Sequence, residues 1–117
     1  MKDSLRKFDE YLGSDENLMD FVRLHAEWSE DSFLQMKRLA RDVMRDYAAE
    51  DSYPKRFVAY FMREIPALID ILSHFKHCSE KERLAGYTDK SYRSMIAERV
   101  KQLEEFRQEF IRSLENY

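Results

Sequence analysis

Apolar residues recur at three- and four-residue intervals along almost the whole chain, and the breaks between these runs fall at Ser, Thr, Gly and Pro. Side chains three and four apart share one face of a helix, so this period predicts a series of amphipathic helices. Leu5, Phe8 and Leu12 mark a first helix over 3–12, closed by Gly13. Ser14 as N-cap, with Asp15 and Glu16 in the first turn, predicts a second over 15–28 that buries Leu18, Phe21, Val22, His25 and Trp28. Ser29 caps a third over 30–49, opened by Glu30 and Asp31, with Phe33, Met36, Leu39, Ala40, Val43, Met44 and Tyr47 turned inward.

Ser52, Tyr53 and Pro54 give a fresh start, because proline suits the first turn of a helix. The stretch 57–78 is the most apolar of the chain, with Val58, Phe61, Ile65, Leu68, Ile69, Leu72 and Phe75 spread over a wide face. It is expected to be the central helix. Pro66 has no N–H to donate, so this helix should kink or split after about residue 65. Ser79 and Glu82 have capping-box spacing and open a short turn ended by Gly86. Thr88 caps a last helix over 89–115, with Tyr92, Ile96, Val100, Leu103, Phe106, Phe110 and Leu114 in step. The expected fold is all-α, a single domain over 1–117 built as a bundle of five to six helices.

Composition agrees with that reading. A chain of 117 residues suits one domain, and 44% hydrophobic residues suffice for a core. Two Gly and two Pro are too few for the many turns of a β-sandwich or barrel. No run approaches the roughly 20 apolar residues of a membrane span, and the N-terminal MKDSLRKFDEYLG alternates charged and apolar positions, unlike a signal peptide. Cys78 is the one cysteine, so no internal disulfide forms. A cytoplasmic protein that neither spans nor coats a membrane is the expectation.

Charge changes the picture more. Residues 1–31 hold nine acidic and four basic groups, 32–64 five and seven, and 65–117 nine and nine. The acids Asp9, Glu10, Asp15, Glu16, Asp20, Glu27, Glu30 and Asp31, with Trp28 among them, predict a surface for a basic protein partner such as a toxin or nuclease domain. Tyr11, Trp28, Tyr53, Tyr60, Tyr87 and Tyr92 stand near helix ends or polar borders, and three or four of the chain's aromatics are expected to be exposed there as anchors. The alternative is a homodimeric adaptor or regulator that joins copies through its fourth or sixth helix. A positive stripe on the third helix, Lys37, Arg38, Arg41 and Arg45, raises a DNA-binding regulator as a further alternative. Asp42 and Asp46 interleave with that stripe and are expected to pair with it, which disfavours nucleic acid as partner.

Asp70, His74 and Cys78 fall at i, i+4 and i+8, with His77 beside them, and all are competent zinc ligands. No second His or Cys pair completes a site. The preferred reading is a helix C-terminus where the histidines and Lys76 meet the dipole and Cys78 is a small buried residue. No metal or cofactor is expected. Phosphate loops, nucleophile elbows and HExxH pairs are missing from the sequence, and Glu64 and Asp70 should lie on the solvent face or pair with Arg63. A non-catalytic binding module, inhibitor or immunity protein in type, is therefore the expectation.

Overall fold

A computed structural model of the chain describes residues 1–75 and 77–115, and the helix-end role expected of Lys76 lies outside them. The described residues form an all-α bundle of six helices, without strands. They are α1 (Asp3–Leu12), α2 (Leu18–His25), α3 (Glu30–Asp46), a composite α4, α5 (Glu80–Leu84) and α6 (Asp89–Leu114). The composite α4 runs from Lys55–Ala59 through a π-turn, Tyr60–Glu64, into Ile65–Ser73. At 1.5 Å per residue α6 alone is about 39 Å long, against a longest extent of 48 Å for the molecule.

The core lies where α1, α3, α4 and α6 meet, and aromatic rings fill it. Phe61 is fully buried and stacks on Phe110 with centroids 4.3 Å apart. Phe57 and Phe106 approach the same Phe61 ring at 5.2 Å. Phe8 of α1 meets Phe57 and Tyr60 edge-on, at 5.3 and 5.2 Å. Leu18, Met36, Ile65, Leu68, Leu72 and Leu103 close the space around the rings.

Pro66 interrupts the regular α-helical run of α4, as expected, without ending the helix. The preceding turn widens, and the Ile65 N–H reaches back five residues to the Tyr60 carbonyl. This leaves the Phe61 carbonyl with no main-chain donor, since Ile65 is spent and Pro66 has no N–H. Arg107 of α6 supplies one, its Nε donating to Phe61 O at 3.2 Å. Arg107→Ala should therefore cost about 1–2 kcal/mol, the usual loss when a part-buried carbonyl is orphaned. In a Pro66→Ala background the cost should shrink, because residue 66 then carries an N–H within reach of that carbonyl. Urea denaturation of the four-member cycle checks both values.

The boundaries of α1, α5 and α6 fall near those the periodicity implies, whereas α4 ends at Ser73, short of Cys78, and α2 is cut at both ends. It starts at Leu18, and its N-cap is Asn17, whose side chain accepts from the Asp20 N–H at 3.0 Å. Ser14 instead turns its hydroxyl back to the Tyr11 carbonyl, 2.7 Å away, so Asp15 and Glu16 lie outside any helix. The C-terminal end is cut short as well. Ala26 adopts a left-handed conformation at φ 52°, which stops α2 at His25. His25 is exposed, contrary to its expected burial, and Trp28 is half-buried in the segment leading to α3. The third helix also ends early, at Asp46.

Candidate functional site

The N-terminal acidic set is divided by the fold. Asp9 pairs with Arg56 of α4 at 2.7 Å, and Glu10 pairs with Arg6 one turn away at 2.6 Å. Asp20 accepts a bond from Asn17 Nδ2 at 3.1 Å and lines a different cleft, against α4. Glu27 meets Lys81 at 3.6 Å. Glu30 accepts the indole N–H of Trp28 at 2.8 Å, and the Trp28 ring lies against Phe33 and under Arg99. Asp15, Glu16 and Asp31 remain, exposed and with no cation in ion-pair reach among the described residues.

A buried polar relay holds these three together. The Tyr11 hydroxyl accepts the Leu18 N–H at 2.9 Å. Ser32 Oγ donates to the Glu16 carbonyl at 2.5 Å, so its oxygen is left to receive the Tyr11 hydroxyl proton at 2.7 Å. Tyr11 and Ser32 are both buried, and burial pushes the Tyr11 pKa up, so the phenol stays protonated and able to donate. The relay ties the end of α1 and the turn 13–17 to the first turn of α3. Between them opens a cleft of about 280 Å³ lined by Glu16, Phe21, Ser29, Asp31, Ser32 and Gln35. It has room for one long side chain, with an aromatic wall and carboxylates at the mouth.

The expected aromatic anchors are mostly absent from the surface. Tyr11, Tyr53, Tyr60 and Tyr92 are buried, Trp28 and Tyr87 half-buried, and no aromatic among the described residues is fully exposed. Tyr60 instead directs its hydroxyl to Met36 Sδ at 2.7 Å. Phe21, expected to be buried by the second helix, is only half-buried and is the ring that borders the acidic cleft. Its signal was the shortness of α2, which the sequence concealed.

Three of the four cations in the positive stripe of α3 are engaged, while Arg38 is exposed and makes no ion pair among the described residues. Arg41 pairs with Glu109 of α6 at 3.0 Å, Arg45 with Asp42 at 2.8 Å, and Lys37 sits over the Phe33 ring at 4.5 Å. Asp42 thus pairs as expected, whereas Asp46 makes no ion pair among the described residues.

Asp70, His74, His77 and Cys78 do not share a helix face, because α4 ends at Ser73. His74 Nδ1 contacts the Asp70 carbonyl at 2.7 Å. Cys78 turns to a residue the spacing never suggested, Asp89 at the start of α6. Asp89 Oδ1 accepts from the Cys78 N–H at 3.2 Å, the Cys78 thiol at 3.3 Å and Arg83 at 3.0 Å. His77 lies 3.4 Å from the other oxygen. Among the described residues no group of three or more His, Cys, Asp or Glu is placed to hold a metal ion. Burial, followed by the Asp89 bond, raises the Cys78 pKa, which keeps the thiol protonated and unreactive.

The Cys78 N–H, followed by its thiol and by His77, holds the Asp89 carboxyl down at about 2, against 3.8 unperturbed. A depressed carboxyl contributes stability above its unfolded pKa and loses it as pH falls through the folded one. The stability gap between the parent protein and Asp89→Asn should therefore be full at about pH 5 and close towards about pH 2. Thermal melts of both proteins across that range measure it.

No helix among the described residues is long and apolar enough to cross a membrane. Comparisons with protein-family models, curated proteins and solved structures gave no match to this chain.

Proposed function

We infer that the protein is a non-catalytic helical module that binds another protein through the carboxylate end formed by the turn 13–17 and the start of α3. Its most concrete form is an inhibitor or immunity-type protein covering a basic surface of a toxin or nuclease domain. One observation carries the reading. Glu16 and Asp31 line a side-chain-sized cleft, with Asp15 exposed next to Glu16 in the chain, and no cation among the described residues neutralises the three, although the chain holds 20 Lys and Arg. Asp31 also complements the α3 dipole, but Asp15 and Glu16 belong to no helix and have no such local task. A lysine or arginine from a partner would enter beside Phe21 and meet carboxylates fixed by the Tyr11–Ser32 relay. Charge then accelerates encounter, and the cleft fixes register.

The test is capture from a native lysate at low salt with two baits, the parent protein and Asp15→Lys/Glu16→Lys/Asp31→Lys. A basic partner held by the parent, released by salt and lost by about tenfold or more from the reversed bait is the expected result. Equal capture by both baits, with the helical circular dichroism of the variant intact, overturns the reading.

A homodimer is the second reading. In its favour, an apolar groove of about 660 Å³ opens between the end of α4 and the middle of α6, walled by Phe75, Ile96, Ala97 and Val100. Sedimentation equilibrium gives twice the monomer mass if copies join there. The DNA-binding alternative draws no comparable support, given the pairing of Arg41 and Arg45.

A further inference from the structure

A separate cleft of about 530 Å³ lies between α4 and the α1–α2 corner and shares no lining residue with the acidic cleft. That volume falls within the ordinary range of small-molecule sites, about 300–1,000 Å³. Its floor is Leu12, Met19, Ala59 and the Tyr60 ring. The Tyr60 hydroxyl points away to Met36, so the floor presents carbon.

Cations flank this floor. Lys55, Ala59 and Arg63 run along one side of α4 at i, i+4 and i+8. Eight residues of regular helix would rotate Arg63 about 80° from Lys55. The π-turn Tyr60–Glu64 is wider, delays that rotation and returns Arg63 towards the line of Lys55. The methyl group of Ala59 leaves the space between them open. Lys55 and Arg63 pair with no carboxylate among the described residues, whereas Arg56 on the same wall is taken by Asp9. Two carboxylates share the rim, Asp20 and Glu64, and Asp20 is held by Asn17 Nδ2. Wide helical turns recur at functional sites because they re-aim side chains at little cost to the rest of the helix.

We propose that this cleft binds a small amphipathic anion, a chain-like carboxylate whose apolar body lies on Leu12, Met19, Ala59 and Tyr60 and whose head meets Lys55 or Arg63. The apolar floor supplies affinity by burial, and the two unpaired cations supply the preference for an acid over its neutral analogue. The site is distinct from the carboxylate end, so a ligand there need not compete with a protein partner.

Isothermal titration of the full chain with decanoate, below its micelle concentration, tests the proposal, with decanol as the neutral comparison. The expected result is saturable binding of one decanoate per chain, weakened about tenfold or more by Lys55→Glu/Arg63→Glu. Ala59→Trp, which fills the cleft and leaves every charge in place, should abolish binding. It decides the matter if the charge variant loses its helical circular dichroism. Asp15→Lys/Glu16→Lys/Asp31→Lys should bind decanoate as the parent does. Absence of saturable binding, equal affinity for decanol, or affinity unchanged by Ala59→Trp overturns the proposal.

Discussion

Phe61→Ala should lower the unfolding free energy by about 3–5 kcal/mol, the largest effect expected of any single truncation in this protein. The ring is fully buried at the crossing of α4 and α6. It stacks on Phe110 and is met by Phe57, Tyr60 and Phe106. These neighbours belong to the same two helices and cannot close in without shifting the long α6, so a cavity persists where the ring was. The backbone at this residue is also the place where Arg107 compensates for Pro66, so relaxation of the chain there is restrained. At a few degrees per kcal/mol for a domain of this size, the midpoint of thermal unfolding should fall by about 10–20 °C. Phe61→Leu should lose markedly less, because most of the volume remains. Thermal melts of the two variants separate the cavity account from any general intolerance of the position.

Tyr11→Phe should cost about 1–3 kcal/mol although it removes one oxygen atom. That oxygen accepts the Leu18 N–H and passes its proton to Ser32, so its loss leaves a buried donor at the start of α2 unsatisfied. The variant also tests positioning. The turn 13–17 is held to α3 by the neighbouring bond from Ser32 Oγ to the Glu16 carbonyl. Without Tyr11, Ser32 becomes free to rotate, and amide hydrogen exchange over 14–18 should speed up more than over α6. If the proposed binding depends on a preformed carboxylate cleft, Tyr11→Phe should weaken partner capture while leaving every charge in place. Urea denaturation with exchange measured on the same sample checks the stability and the local loosening together.

Helix existence was readable from periodicity because each amphipathic face obeys one period, whatever packs against it. Boundaries were readable where one residue alone could cap, as at Ser29, Ser79 and Thr88, whose side chains all accept the expected N–H groups. The segment Ser14–Asn17 holds three residues able to cap, Ser14, Asp15 and Asn17, and local rules do not choose among them. Tertiary contacts chose: the Tyr11 hydroxyl takes the Leu18 N–H, and Ser14 spends its own hydroxyl on the end of α1. That choice moved Asp15 and Glu16 out of a helix and gave them the exposed setting on which the functional reading rests. Pro66 announced an irregularity but not its form, since a kink, a split and a widened turn all answer a missing N–H. The donor that made the π-turn tolerable, Arg107, lies 46 residues away.

The candidate site was only partly legible for the same reason. Acidic residues can be counted along a sequence, but neutralisation is a property of space. Arg56 silences Asp9, and Lys81 meets Glu27, across separations no spacing rule encodes. Arg41 likewise leaves the expected positive stripe for Glu109, 68 residues distant. Asp89 was overlooked because a carboxylate in the first turn of a helix already has an ordinary explanation. Its bonds to Cys78 and Arg83 arise only once α5 folds back over the start of α6.

The measurement that bears most directly on the central claim is the association rate of the captured partner with the parent protein and with Asp15→Lys/Glu16→Lys/Asp31→Lys, each at low and at high salt. Steering by an exposed carboxylate end predicts a rate for the parent that falls steeply with salt. It also predicts a rate for the variant lower by about 10-fold or more at low salt, with the two converging at high salt. Equal association rates for the two proteins at low salt would contradict the claim that this end of the bundle is where the protein binds.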